Sequence, residues 1–178
     1  MTPEFSRPII LQELEQEVSS LHFEAEPAER TALANRFGLL ELKSLTADVT
    51  LTKQESADEP LRIDAKFSAQ LVQECVISLE PVPAKLEGSF ACTFTILDTA
   101  EVDEFEIEVD PEAEDPPEIL VDGQFDAGEL IAEHFGLHIN PFPKAEGAVF
   151  DASTVASREE MDINNPFAML EKLKDEMN

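Results

Sequence analysis

The chain has 178 residues, with 39 acids against 12 bases, a formal net charge of −27 and 43% hydrophobic residues. That apolar share is ordinary for a globular domain and too high for a chain disordered throughout. The charge argues against a protein that grips a phosphate backbone unaided, because that grip is built from Lys and Arg, and it favours a basic partner or a complex whose basic members hold the nucleic acid.

In chain order, Phe5 to Leu11 reads as a short opening strand, marked as an edge by Pro8. Pro27 to Gly38 reads as a helix: Pro27 suits the first helical position, Leu33, Phe37 and Leu40 recur on one face, and Gly38 ends it. Strand material follows from Leu42 to Lys53, Leu61 to Leu79 and Ala84 to Leu97. Alternation is clear in Ala47, Val49 and Leu51 and in Phe90, Cys92, Phe94 and Ile96. Gln54 to Pro60 is a polar hairpin loop, and Glu80 to Ala84 is the next turn. Long strands with short connections predict an antiparallel, meandering, barrel-like sheet. Phe105 to Val109 is a further alternating strand, Asp110 to Pro117 an exposed acidic loop, and Ile119 to Val121 a last short strand. A helix then starts at Asp126, capped by that residue with Glu129 three positions on. Leu130, Ile131 and Phe135 form its buried stripe, Gly136 closes or kinks it, and Pro141-Phe142-Pro143 forces an extended exit. Residues 145–164 read as a flexible linker. Asn165-Pro166 opens a final amphipathic helix to residue 178, with Phe167, Leu170, Leu173 and Met177 on roughly one face. The expected fold is α+β: one domain over residues 1–144, with two or three packed helices and a tethered C-terminal helix.

No window approaches the ~20 apolar residues of a membrane span. Met1 to Arg7 also lacks the basic region and apolar run of a secretory signal. A cytoplasmic protein without membrane contact is expected. Two cysteines are too few for a disulfide framework. If Leu79 pairs with Gly88, Cys75 falls opposite Cys92, which leaves open two buried thiols, the ordinary cytosolic state, or a cross-strand redox pair.

The chemistry-bearing patterns are sparse. His134 and His138 stand four apart beside Glu133, but they lack a His-Glu-x-x-His frame, and a helix ending near Gly136 would break their common face. The acids from Asp98 to Asp122 do not follow calcium-loop spacing. No Gly-rich phosphate loop or nucleophile elbow is present. No metal, cofactor or catalytic residue is therefore expected, and the enzyme class is set aside. What stands out is the 58-residue stretch Leu86 to Pro143, which holds sixteen acids and no Lys or Arg. Asp98, Glu101, Asp103, Glu104, Glu106 and Glu108 read either as a solvated face and loop or as the candidate docking surface for a basic protein. The helix carrying Phe167, Leu170 and Leu173 either packs back onto its own domain or forms a second contact that docks as a helix in a groove. Arg30, Arg36 and Lys43 are the candidate local basic patch for the alternative, direct contact with RNA.

Val72 to Val82, Phe105 to Asp110, Phe125 to Glu133, Leu137 to Lys144 and Asn165 to Lys174 occur in an order that resembles the YceD-like bacterial family, the large ribosomal RNA subunit accumulation proteins. The family often shows Cys-x-Arg-Cys-Leu where this chain has Cys75-Val-Ile-Ser-Leu79. Here Cys75 and Leu79 match, while Ile77 and Ser78 replace the Arg and second Cys. Asp126, Leu130, Glu133, Pro141, Pro143 and Lys144 also match. The resemblance implies a non-enzymatic ribosome-biogenesis factor that supports accumulation of large-subunit ribosomal RNA. It implies as partner a basic large-subunit ribosomal protein or a pre-ribosomal particle, with ribosomal RNA reached directly or indirectly. The missing second Cys removes the basis for a metal or redox role borrowed from a paired-cysteine version.

Overall fold

The computed structural model describes residues 3–14, 18–52, 61–97 and 117–150. The chain divides into two units, Met1–Ala145 and Glu146–Asn178, and every element below lies in the first. They run β1 (Pro8–Ile10), a 3-10 turn (Leu11–Glu13), β2 (Val18–Glu24), α1 (Pro27–Phe37), β3 (Glu41–Thr52), β4 (Leu61–Glu74), β5 (Pro81–Leu97), β6 (Glu118–Val121), β7 (Gln124–Asp126) and α2 (Ala127–His138). The expected strand at Phe105 to Val109, the loops at Gln54 to Pro60 and over residues 110–116, and the C-terminal helix lie outside the described residues.

The architecture is α+β with an open, mixed sheet rather than a barrel. Five strands are ordered β2-β3-β4-β5-β6, and β1 pairs with β7 in a separate two-stranded sheet. The first four strands form the expected antiparallel meander. β6 departs from it, lying parallel to β5 with Phe94 opposite Glu118 and Leu97 opposite Val121. A parallel neighbour cannot be reached through a tight hairpin, so it needs a longer connection than a meander supplies. Asp122 and Gly123, both with positive φ, make the two-residue turn from β6 into β7.

Period-two patterning sets the two faces of the sheet. Leu45, Ala47, Val49 and Leu51 of β3 and Ile63, Ala65, Phe67, Ala69 and Leu71 of β4 are buried in one cluster with Leu33 and Ala34 of α1 and Ile131, Ala132 and Phe135 of α2. Phe135 meets the rings of Phe37 and Phe67 edge-on, at 5.4 and 6.4 Å between centroids. The opposite face is polar, with Asp48, Lys66 and Ser89 in one cross-strand row. Antiparallel pairs commonly keep one face wet in this way.

α1 starts where Pro27 pre-sets the backbone, with a reciprocal capping box between Glu26 and Glu29, and it ends at Gly38 in the left-handed conformation (φ 65°). That residue breaks helical phase, so Leu39 turns inward and Leu40, expected on the buried stripe, is left exposed.

Other expectations are corrected by packing. The opening strand is shorter than Phe5 to Leu11, because Leu11 enters the 3-10 turn and Phe5 is buried ahead of β1. β4 stops at Glu74, and the turn spans Cys75 to Glu80 rather than Glu80 to Ala84. Pro81 and Pro83 are accommodated inside β5 at a stretch that pairs with β4 and not with β6. A strand with one unpaired side has no need of the N–H groups that proline lacks. α2 does not close at Gly136 but runs on to His138. Gly136 is where the Phe37 ring comes close enough that a Cβ would lie 2.6 Å from Phe37 Cε1.

Candidate functional site

Asp98, Glu101, Asp103, Glu104, Glu106 and Glu108, the expected acidic docking surface, lie outside the described residues, as do Phe167, Leu170 and Leu173. The remaining expected residues gather at two corners of the first unit.

At the first corner Asp126 ends β7 and caps α2. Its Oδ1 accepts the backbone N–H groups of Gly128 (2.9 Å), Glu129 (3.2 Å) and Arg7 (2.7 Å), and its Oδ2 accepts the Ser6 hydroxyl at 2.5 Å. Burial pushes this carboxyl up, yet the bonds from Arg7, Ser6, Glu129 and Gly128 together hold it below its ordinary value. Arg7 continues the network. Its guanidinium forks onto Glu29 (2.7 and 2.9 Å) and donates to the Ser6 and Glu24 carbonyls. Leu130 packs on the core beside this corner, while Glu133 is exposed further along α2.

The second corner is the turn after β4. Cys75 is fully buried, and its Sγ accepts backbone N–H groups from Ile77 (3.4 Å), Ser78 (3.3 Å) and Ala145 (3.2 Å). The Ala145 bond first, then the bonds from Ser78 and Ile77, outweigh burial and lower the thiol from 9.0 to about 6. The turn is closed by Leu79 N–H donating to the Cys75 carbonyl and Cys75 N–H to the Glu80 carbonyl. Val76 N–H donates to the Pro143 carbonyl at 2.9 Å, and the buried Gln73 amide donates to the Asn140 carbonyl at 2.8 Å. The segment from Asn140 to Ala145 is thereby strapped across the turn, so Cys75, Leu79, Pro141, Pro143 and Lys144, scattered along the chain, share one corner. With no exposed surface, this sulfur has no access to a substrate. It serves as a three-way acceptor that ties turn to strap.

Cys92 is not opposite Cys75. It faces Ile63, which puts the thiols about 40 Å apart along β4, and both are free. Burial, with Glu118 and Asp64 nearby, pushes Cys92 up to about 11. His134 and His138 do share the face of an unbroken helix, contrary to the expected break at Gly136. That face is spent on aromatic packing: His134 stacks on Phe90 (3.8 Å between centroids) and His138 meets Phe67 edge-on (5.2 Å). Among the described residues no group of three or more His, Cys, Asp or Glu side chains is placed to hold a metal ion, and no helix is long and apolar enough to cross a membrane.

The candidate basic patch does not assemble as three open cations. Arg36 is held by Glu4 (3.1 Å) and Glu129 (2.7 Å), Lys43 stands 3.9 Å from Glu41, and Arg30 donates to the Ala25 carbonyl. On the polar sheet face a shallow groove of about 440 Å³ is lined by Thr46, Asp48, Lys66, Ser68, Glu87 and Ser89 among others. It brings hydroxyls and opposite charges together.

Sequence reasoning missed the strap. The signal that could have found it is the Pro141-Phe142-Pro143 run, whose missing N–H groups suit a segment bonded through its carbonyls. It also missed that Phe142 and Leu79 stay in water, for which the sequence holds no signal.

The sequence model of the family described as large ribosomal RNA subunit accumulation protein YceD matches residues 63–174, which include Asp126 and the Cys75 corner but not Ser6, Arg7 or Glu29. No curated protein and no solved structure matches the chain. The chain belongs to the YceD family, which is tied by its name to accumulation of the large-subunit ribosomal RNA.

Proposed function

We propose that the protein is a non-enzymatic ribosome-biogenesis factor of the bacterial cytoplasm that supports large-subunit ribosomal RNA by covering a basic ribosomal protein before that protein meets RNA. The observation that carries this reading is the charge distribution: sixteen acids and no Lys or Arg over Leu86 to Pro143, in a chain at −27. Such a field attracts cationic partners and repels phosphate backbones. The described residues hold 17 acids against 8 bases, a net −9, so most of the excess belongs to segments such as 98–116. Asp98 to Glu108 are the contact in this reading, with Phe167, Leu170 and Leu173 as a second one. The alternative, direct contact with precursor RNA, is less well supported, because Arg36 is already ion-paired and Lys43 has Glu41 beside it.

The test is a mild-salt pull-down with the tagged full chain, with and without nuclease, scoring proteins and RNA. Capture of a basic large-subunit protein that persists after nuclease is expected, and is lost when Asp98, Glu101, Asp103 and Glu104 are changed to Lys. Precursor RNA as the captured species, with ribosomal proteins lost on nuclease treatment, would overturn it.

A further inference from the structure

The Cys75 corner carries a surface that the fold does not need. Leu79 is 66% exposed and Phe142 70% exposed, with Val76, Leu40 and Leu137 also in water. They lie at one end of the sheet. Val76 is bonded to the residue after Phe142, Leu79 to Cys75, and Leu40 to the Val72 carbonyl near the end of β4, while Gln73 fastens the exit of α2 to the same strand end. Single exposed apolar residues are unremarkable, but a group on one end, with charge at its rim, has the form of a protein-binding surface.

A second observation concerns Leu79 itself. Its φ is +60°, a conformation that costs any residue with a branched side chain and that glycine adopts freely. The chain therefore holds an aliphatic side chain in water at a position where the backbone favours glycine, and unfavourable conformations retained in this way gather at functional sites.

The rim identifies the occupant. Glu74 and Glu80 flank the turn, and Glu133 shares the exposed face of α2 with Leu137 four residues on. Lys144 stands against them, while the nearby Lys85 has its own partner in Glu87 and Lys43, close to Leu40, stands 3.9 Å from Glu41. An apolar centre with an acidic margin, on a chain at −27, complements a cationic polypeptide with apolar side chains between its Lys and Arg residues.

We infer that the end of the sheet around Leu79 and Phe142 seats an amphipathic, cationic segment of a partner protein. This rests on the reading of the protein as a binder of a basic partner and adds where, and by what chemistry, a segment of that partner is held.

Two synthetic peptides of equal charge test it on the full chain by fluorescence anisotropy: one of Leu and Lys in helical phase, one of Ser and Lys. The Leu/Lys peptide should bind more tightly. The variant L79S/F142S should weaken it about tenfold, in the range of a modest hot spot, and leave the Ser/Lys peptide unchanged. Leu79→Gly should raise the melting temperature while weakening the Leu/Lys peptide, a combination that a purely structural Leu79 cannot give. Equal binding of both peptides, unaffected by either variant, would overturn the patch and leave the charge-based reading standing. Binding of neither peptide would remove both. Self-association of the wild-type chain that is abolished in L79S/F142S would assign the patch to a second copy and overturn the inference.

Discussion

At the Asp126 corner every polar group that converges is taken up by the fold, and little apolar surface is left over. The Cys75 corner also satisfies its polar groups, through three N–H bonds to one sulfur and the Gln73 amide, yet it leaves Leu79 and Phe142 in water. Both corners join distant segments, and both hold residues by which the chain resembles its family. The difference separates two reasons for keeping a residue. Asp126 and Arg7 are accounted for by architecture alone, whereas Leu79 and Phe142 are not.

Asp126→Ala should give the largest effect, about 3 kcal/mol of lost stability, because a helix cap and charge-assisted bonds from two other groups disappear together. A urea titration with an unchanged m-value would show it. Peptide binding at the other corner should not move, and coupled loss of binding would break the separation. Gln73→Ala should cost about 1–2 kcal/mol by stranding the Asn140 carbonyl and loosening the strap, with faster hydrogen exchange at the Val76 and Ala145 amides. Leu79→Gly should have the opposite sign, a gain of about 0.5–1 kcal/mol as the left-handed strain is relieved against glycine's greater chain entropy. A destabilised Leu79→Gly protein would mean that the side chain is structural after all.

The effect at Cys75 is a pH slope rather than a fixed loss. The folded Cys75 thiol, lowered to about 6, lies below its unfolded value. Its stabilisation is thus fully present above the unfolded pKa and is lost as pH falls through the folded one. The stability gap between wild type and Cys75→Ala should widen as pH rises from about 6 towards about 9. A flat gap would mean that the three N–H groups hold a neutral thiol.

Much of this architecture is written locally. Pro27 and Gly38 bracket α1, Asp126 opens α2, and alternation in β3, β4 and β5 identifies both faces of the sheet. What failed was decided at a distance. Val18 to Glu24 has apolar residues at Val18, Leu21 and Phe23, with a broken alternation, and becomes β2 through pairing with β3. Asp122-Gly123 is by contrast a local turn signal, and it separates β6 from β7. The parallel seat of β6 is set by its pairing with β5 and not by a local pattern, and Gly136 within α2 leaves room for the ring of Phe37 from another helix. At the candidate site, the residues of the Cys75 corner could be picked out from the sequence through resemblance. Their convergence on one sulfur could not, because backbone N–H groups leave no trace in side-chain identity.

The pairing of β1 with β7 also orders events during synthesis. Ser6 and Arg7 reach Asp126 across 120 and 119 residues, so the N-terminal segment emerges early and finds its place only after most of the domain exists. Contacts of such long sequence separation close late and slowly. The β2-β3-β4 meander can form while the N-terminus is still unattached. Pulse-labelled hydrogen exchange during refolding should find the Arg7 and Ala127 amides protected last, after those of β3 and β4.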